Sequence, residues 1–226
     1  MNRVRPGSGW EHLLEIAKIE RLDRAYTWNC AVGCNNYDCE VRRRGKCWAM
    51  IMAKRFGWNF EPHLIPEKLR EPCEMQMPSV ITPVSMGDIF GLSLAQFYEI
   101  WKVMDAADWH VYALLTKLPH VAEDHMPVRP QENLWFGVTV NTQEDVWRLK
   151  VLRKQYFPKK YCLFEPLYGP IDYDLSWLDL IVIGPQNYPL LQPKEDWIES
   201  VLDNAKGVRV FFKSKLKCSL NEVERK

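Results

Sequence analysis

The chain has no apolar run long enough to cross a bilayer. Stretches such as Val111 to Leu115 fall far short of the about 20 residues a spanning helix needs. It also lacks a net field: 30 Lys and Arg face 29 Asp and Glu, a formal charge of +1. Nothing global therefore directs it to nucleic acid or to an anionic membrane. Met1 to Trp10 contains no apolar stretch of the signal-peptide kind. There is no repeat, no low-complexity tract and no obvious linker. A single cytoplasmic domain spanning residues 1–226 is the expectation, large enough for a real core and with no membrane partner. In that compartment thiols stay reduced, so disulfides are not expected and metal ligation gains weight. The five histidines show no metal-ligand spacing.

Cysteine is sparse except in one place. Cys30, Cys34, Cys39 and Cys47 fall within eighteen residues, while Cys73, Cys162 and Cys218 are scattered. Thiolates are soft ligands, and such grouping suggests a metal or an iron–sulfur cluster. Three thiolates on a four-iron cluster leave one iron open. A structural zinc site of four cysteines competes, but zinc knuckles use two-residue gaps. Here the gaps are three, four and seven residues. Free cysteines without a metal are the third reading.

Strand-like and helix-like segments alternate. Tyr26 to Val32 is expected as a strand ending in the cysteine loop. Cys47 to Phe56 reads as a helix stopped by Gly57. Ser79 to Val84 is β-rich. Leu94 to Ala107 has Leu94, Phe97, Ile100, Trp101 and Met104 on one helical face. Strands follow at 110–115, 134–140, 161–164, 180–183 and 208–212, with helices at 144–154 and 197–205. This is the pattern of parallel α/β. An open doubly wound sheet and a (β/α) barrel compete, and both gather function at strand C-termini. Asp88, Thr116-Lys117, Asn141, Glu165, Gln186-Asn187 and Lys213 each follow a strand. Their run favours a partial or complete barrel with a polar mouth.

Motifs in the same order resemble a phage- and prokaryote-encoded family, labelled "three-Cys-motif" and related to radical S-adenosylmethionine enzymes. The matching segments are Thr27-Trp28-Asn29, Gly33-Cys34, Cys47-Trp48-Ala49 and Met52-Ala53-Lys54-Arg55. Ser85 to Phe90, Leu115 to Pro119, Asn133 to Asn141, Glu165 to Pro170 and Phe211-Phe212-Lys213 continue the likeness, which spans 26–213. Two departures stand out. Arg44 occupies the place of the family's middle cysteine, and Cys39 is taken to fill that role. Gly184-Pro185-Gln186-Asn187 stands where the family has Gly-Gly-Glu-Ser.

The resemblance implies a single (β/α)-barrel domain of the radical type, with Cys34, Cys39 and Cys47 binding a [4Fe-4S] cluster. It implies S-adenosylmethionine as cofactor and reductive cleavage of it to a deoxyadenosyl radical. Ser85 and Asp88 are expected to hold the methionine ammonium, with helix capping by Asp88 or Ser93 as the alternative. Thr139 and Asn141 are expected at the ribose or carboxylate, with a strand-end turn as the alternative. Lys117, Glu165 and Lys213 are expected as catalytic groups at the mouth, rim salt bridges being the alternative. Trp48 shields the cluster or packs in the core. Arg42 to Arg44 approach a phosphate or form a solvated loop, the loop being favoured. An external electron donor is required. The substrate is unknown, with nucleic acid as one candidate, and a protein partner is a candidate cap for the mouth. The competing function is a zinc-stabilised α/β module that binds nucleic acid or protein without catalysis.

Overall fold

Short apolar runs become strands here because they can bury both faces. Leu134–Thr139 and Leu180–Ile183 are buried at every residue, which suits a parallel sheet covered on both sides. A computed structural model describes residues 1–126 and 132–219. In chain order the elements are β1 (Asn2–Arg3), α1 (His12–Ile19), β2 (Ala25–Trp28), β3 (Ala31–Gly33), α2 (Glu40–Arg43), α3 (Trp48–Arg55), β4 (His63–Leu64), β5 (Val80–Pro83) and β6 (Met86–Gly87). They continue with α4 (Leu94–Ala106), β7 (Val111–Thr116), α5 (Pro119–His125), β8 (Leu134–Thr139), α6 (Trp147–Lys154), β9 (Lys159–Phe164), β10 (Leu180–Ile183), α7 (Glu195–Asp203) and β11 (Val210–Phe212). Among the described residues no helix is long and apolar enough to cross a membrane.

The architecture is mixed α/β. An eight-stranded sheet runs β1-β2-β5-β7-β8-β9-β10-β11. Its pairings are parallel except β1 with β2. Helices α4, α5, α6 and α7 connect successive parallel strands, while the β9–β10 connection carries no helix. The period-two alternation of a strand divides the core. Ile81, Leu114, Phe136, Phe164 and Ile183 join Phe97, Ile100, Leu149 and Ile198 on the side of the connecting helices. Val80, Ala113, Trp135, Tyr161 and Val182 pack on the other side against Leu13, Ile16 and Ala17 of α1.

Helix α1 is tied to distant strands by its carboxylates. Glu15 pairs with Arg209 at 2.5 Å, and Glu20 accepts from the Trp135 indole at 2.7 Å. His12, on the same helix, is fully buried, and neither ring nitrogen has a hydrogen-bond partner among the described residues. Burial, and secondarily the Lys213 charge, holds its pKa well below the usual histidine value.

Several boundaries depart from the sequence expectation. The strand expected at 26–32 is two strands in different sheets, because Asn29 interrupts it. Its Oδ1 accepts from Ser85 Oγ at 2.7 Å and Met86 N at 3.1 Å. Strand β3 then enters a small sheet ordered β4-β3-β6. Helix α4 has a capping box between Ser93 and Gln96. Leu94 is 46% exposed rather than part of the buried face. It is the first helical residue, a turn ahead of the buried stripe. The segment expected as helix from 144 opens as a 3-10 turn, Gln143–Val146, before α6.

Candidate functional site

Parallel strands end on one rim, so the residues that follow them meet. The cysteine loop is brought to that rim by a close backbone contact. Gly33 pairs with Gly87 across β3 and β6. Gly33 has φ +102, which favours glycine. A Cβ on Gly87 would lie 2.1 Å from the Gly33 carbonyl oxygen. Cys34 and Asp88 directly follow these glycines, so the contact sets the cysteine loop beside the end of β5. Gly87→Ala is therefore expected to cost about 1–3 kcal/mol, the range for overpacking. Gly169→Ala, where a Cβ meets nothing within 4 Å, is the control and is expected to stay near wild type. Urea denaturation of both variants checks this.

Cys34, Cys39 and Cys47 line one cavity of about 160 Å³ together with Asp88, Lys117 and Thr139. Cys39 stands at the N-cap of α2 and Cys47 at the N-cap of α3. Cys34 Sγ accepts from the Asn36 amide at 3.4 Å. Burial pushes the Cys34 thiol up to about 12, with Asp88, Cys39 and Cys47 adding to the rise and the Asn36 amide opposing it. Cys34 is thus a neutral thiol unless an electrophilic centre takes its proton's place. Cys30 is elsewhere: it is fully buried in the hydrophobic core, and burial raises its pKa far above the ordinary thiol value. Among the described residues no three His, Cys, Asp or Glu side chains are grouped so as to hold a single metal ion.

Polar contacts run round the rim. Asp88 is buried and accepts from Phe90 N at 3.1 Å, Thr116 Oγ1 at 2.7 Å and Lys117 N at 2.9 Å. It therefore caps the 3-10 turn Ile89–Gly91 and also faces the cavity. Burial raises its pKa above the usual aspartate value against those hydrogen bonds. Lys117 Nζ donates to Asn141 Oδ1 at 2.8 Å and lies 3.6 Å from Cys39 Sγ. Asn141 Nδ2 donates to the Pro166 carbonyl at 2.6 Å. Ser85 and Asn141 are buried and do not line the cysteine cavity; Ser85 is spent on Asn29. Thr139 lines it, and its carbonyl accepts from Arg148 at 2.9 Å.

A second cavity, about 420 Å³, adjoins the first through Trp10, Val41, Trp48 and Lys117, which line both. Glu165, Gln186 and Asn187 line the second cavity and not the first. Glu165 forms an ion pair with Lys213, and Asn187 Nδ2 donates to Glu165 Oε1 at 3.2 Å. Lys213 is buried, and its Nζ also reaches the Gly9 carbonyl. The expected site residues thus separate into a cysteine end and a Glu165–Lys213 end, with Lys117 lining both cavities.

Other features carried no sequence signal. Trp10 precedes the expected first strand, yet lines both cavities. Val84, on the cavity wall, has φ +56, an uncommon conformation for a β-branched residue. It is held there by Val84 N donating to Trp28 O at 2.8 Å and Gly87 N donating to Val84 O at 3.1 Å. Trp48 is 38% exposed, so core packing does not describe it. The arginine run is braced rather than merely solvated. Arg42 donates to the Cys34 carbonyl at 2.6 Å and lies 4.2 Å over the Tyr37 ring, while Arg43 and Arg44 pair with Glu40.

No curated protein and no solved structure matches the chain. Residues 17–224 match the family model described as "Protein of unknown function (DUF5131)", and the chain belongs to that family.

Proposed function

We propose that the chain is a radical S-adenosylmethionine-type enzyme built on a partial (β/α) barrel. The observation that carries this reading is the joining of Cys34, Cys39 and Cys47 in one cavity at the C-terminal ends of parallel strands. The donor set fits a [4Fe-4S] cluster. Each thiolate of a cubane binds its own iron, so the ligands stand around a volume. A tetrahedral zinc instead draws its thiolates to about 4 Å from one another. Cys34, Cys39 and Cys47 line one cavity, which supplies the three thiols the first demand needs. A four-thiolate zinc site would also need Cys30, which lies in the core.

A cluster held there and reduced by an external donor would supply one electron to S-adenosylmethionine, giving methionine and a deoxyadenosyl radical. The chain's own residues do the positioning. Cys34, Cys39 and Cys47 would hold the iron. Asp88, already oriented by Thr116 and the Lys117 amide, offers Oδ2 to an ammonium group. Lys117 places a cation between the two cavities, where a carboxylate would meet it. Thr139 lines the same cavity as Lys117. Asn141 orients Lys117 and acts as a positioning residue rather than a ligand. Val84 and Trp48 keep water from the thiol end. The cavity bearing Glu165 is where the substrate lies, with Lys213 fixing the Glu165 carboxylate.

The test is anaerobic reconstitution followed by visible and EPR spectra with and without S-adenosylmethionine, and chromatography for deoxyadenosine. Iron binding, a reduced-state signal that changes on adding S-adenosylmethionine, and deoxyadenosine release are expected. A colourless protein with about one zinc per chain would replace this reading with the non-catalytic module.

A further inference from the structure

The charge balance of the whole chain hides a local excess. Between Tyr37 and Trp58 there are six Lys and Arg against two Asp and Glu, in a chain whose formal charge is only +1. The four aromatic residues of this segment, Tyr37, Trp48, Phe56 and Trp58, are 59%, 38%, 57% and 47% exposed. Helix α3 buries only Ala53. The Phe56 and Trp58 rings lie together, 5.1 Å apart, and directly follow Lys54 and Arg55 in the sequence. Neither cation has an ion-pair partner among the described residues. A folded chain leaves such rings uncovered at a cost in apolar exposure, and their interleaving with cations suits flat, anionic polymers.

The 420 Å³ cavity repeats the same chemistry. Trp10, Trp48 and Tyr188 bring π-faces, Gln186 and Asn187 bring amides, and Lys46 brings an amine. Its one carboxylate, Glu165, is already neutralised by Lys213. Aromatic faces stack an unpaired base, amides read its edge, and lysines take phosphate. The volume lies in the usual range for a pocket that takes a ligand of this size, about 300–1,000 Å³. Trp48 belongs to both the exposed face and the cavity, so the two are continuous.

We propose that the cysteine-loop face and α3 bind single-stranded nucleic acid, with one unstacked nucleotide in the cavity that holds Glu165. This assigns a substrate class to the proposed radical reaction and rests on that reading only for the chemistry, not for the binding. A duplex keeps its bases stacked and offers no ring to Phe56, Trp58 or the cavity. A protein partner would favour a contiguous apolar patch over a segment whose aromatic residues alternate with cations in the sequence.

The experiment is fluorescence anisotropy of the full reconstituted chain with labelled twenty-residue oligothymidylate, oligouridylate and a DNA duplex, across a salt series. At least one single strand is expected to bind tenfold or more tightly than the duplex; which one tells DNA from RNA. Trp58→Ala and Phe56→Ala are expected to weaken binding about tenfold each, the effect of one lost base stack. Both side chains are exposed, so melting curves should match wild type. Lys54→Gln with Arg55→Gln is expected to lower the salt slope by about 1.4, from two lost phosphate contacts. No binding at low salt, equal binding of duplex and single strand, or indifference to Trp58→Ala would overturn the proposal. So would loss of a protein partner in these variants with no polynucleotide bound. Deoxyadenosine is not scored in this assay, so failure of binding and failure of the radical reading are separate outcomes.

Discussion

Reconstituted Cys34→Ala, Cys39→Ala and Cys47→Ala proteins are each expected to fall from about four iron per chain to below about one, while Cys30→Ala keeps wild-type iron. The contrast follows from where the thiols lie. Three line one cavity beside Asp88 and Lys117; the fourth is packed with Trp28, Ile81 and Val84 in the core. A cubane with two thiolates is not retained, because the freed iron corner opens to solvent. Burial keeps the proton on Cys34 unless iron displaces it. Cys30→Ala removes one core sulfur and is expected to cost about 1 kcal/mol of stability without touching iron. Iron assay and visible absorbance decide. Iron loss in Cys30→Ala as severe as in the other three would point to a four-thiolate site and sink the assignment.

Lys213→Met is expected to lower unfolding stability by about 3–5 kcal/mol, because it strands the Glu165 carboxylate in a buried place. The Lys213 side chain is 3% exposed and that of Glu165 13%. Their pairing spans β9 and β11 across Gly184, where a Cβ would come within 3.0 Å of Glu165 and 3.1 Å of Lys213. Glycine there leaves room for the pair. The double variant Glu165→Gln with Lys213→Met is expected to recover part of the loss, since the unpaired charge is gone. A urea-denaturation double-mutant cycle reads the coupling. Additive losses would mean the two groups act independently, and Lys213 would then owe its burial to the Gly9 carbonyl alone. A strong coupling makes Lys213 the group that positions Glu165, whatever further part it takes in chemistry.

Much of the fold was legible in the chain. The runs at 134–138 and 180–183 hold only apolar residues and one glycine, which suits a doubly covered strand, and the α4 stripe of Phe97, Ile100, Trp101 and Met104 has helical spacing. The polar residues after each strand were visible for the same reason: parallel strands put all their C-termini on one side. Helix α1 was not legible. Its partners Val80, Trp135 and Tyr161 come from three distant strands, and its carboxylates pair with Arg209 and Lys159. Short pieces such as β3, β4 and β6 exist only because of pairings between distant segments, so no local pattern announces them.

For the site, local order in the sequence determined the inventory: which thiols are close together, and which polar groups end which strand. Tertiary structure decided the selection. Cys30 and Cys34 are four residues apart, yet one enters the core and the other the cavity, because Asn29 ends one strand and β3 carries the chain into a second sheet. Ser85 was drawn to Asn29 and Asn141 to Lys117, and neither lines the cavity that Asp88 and Thr139 line. Trp10 reached the cavities from outside any motif. Spacing along a chain limits which atoms can meet, but burial and the direction of each strand end decide which of them share a cavity.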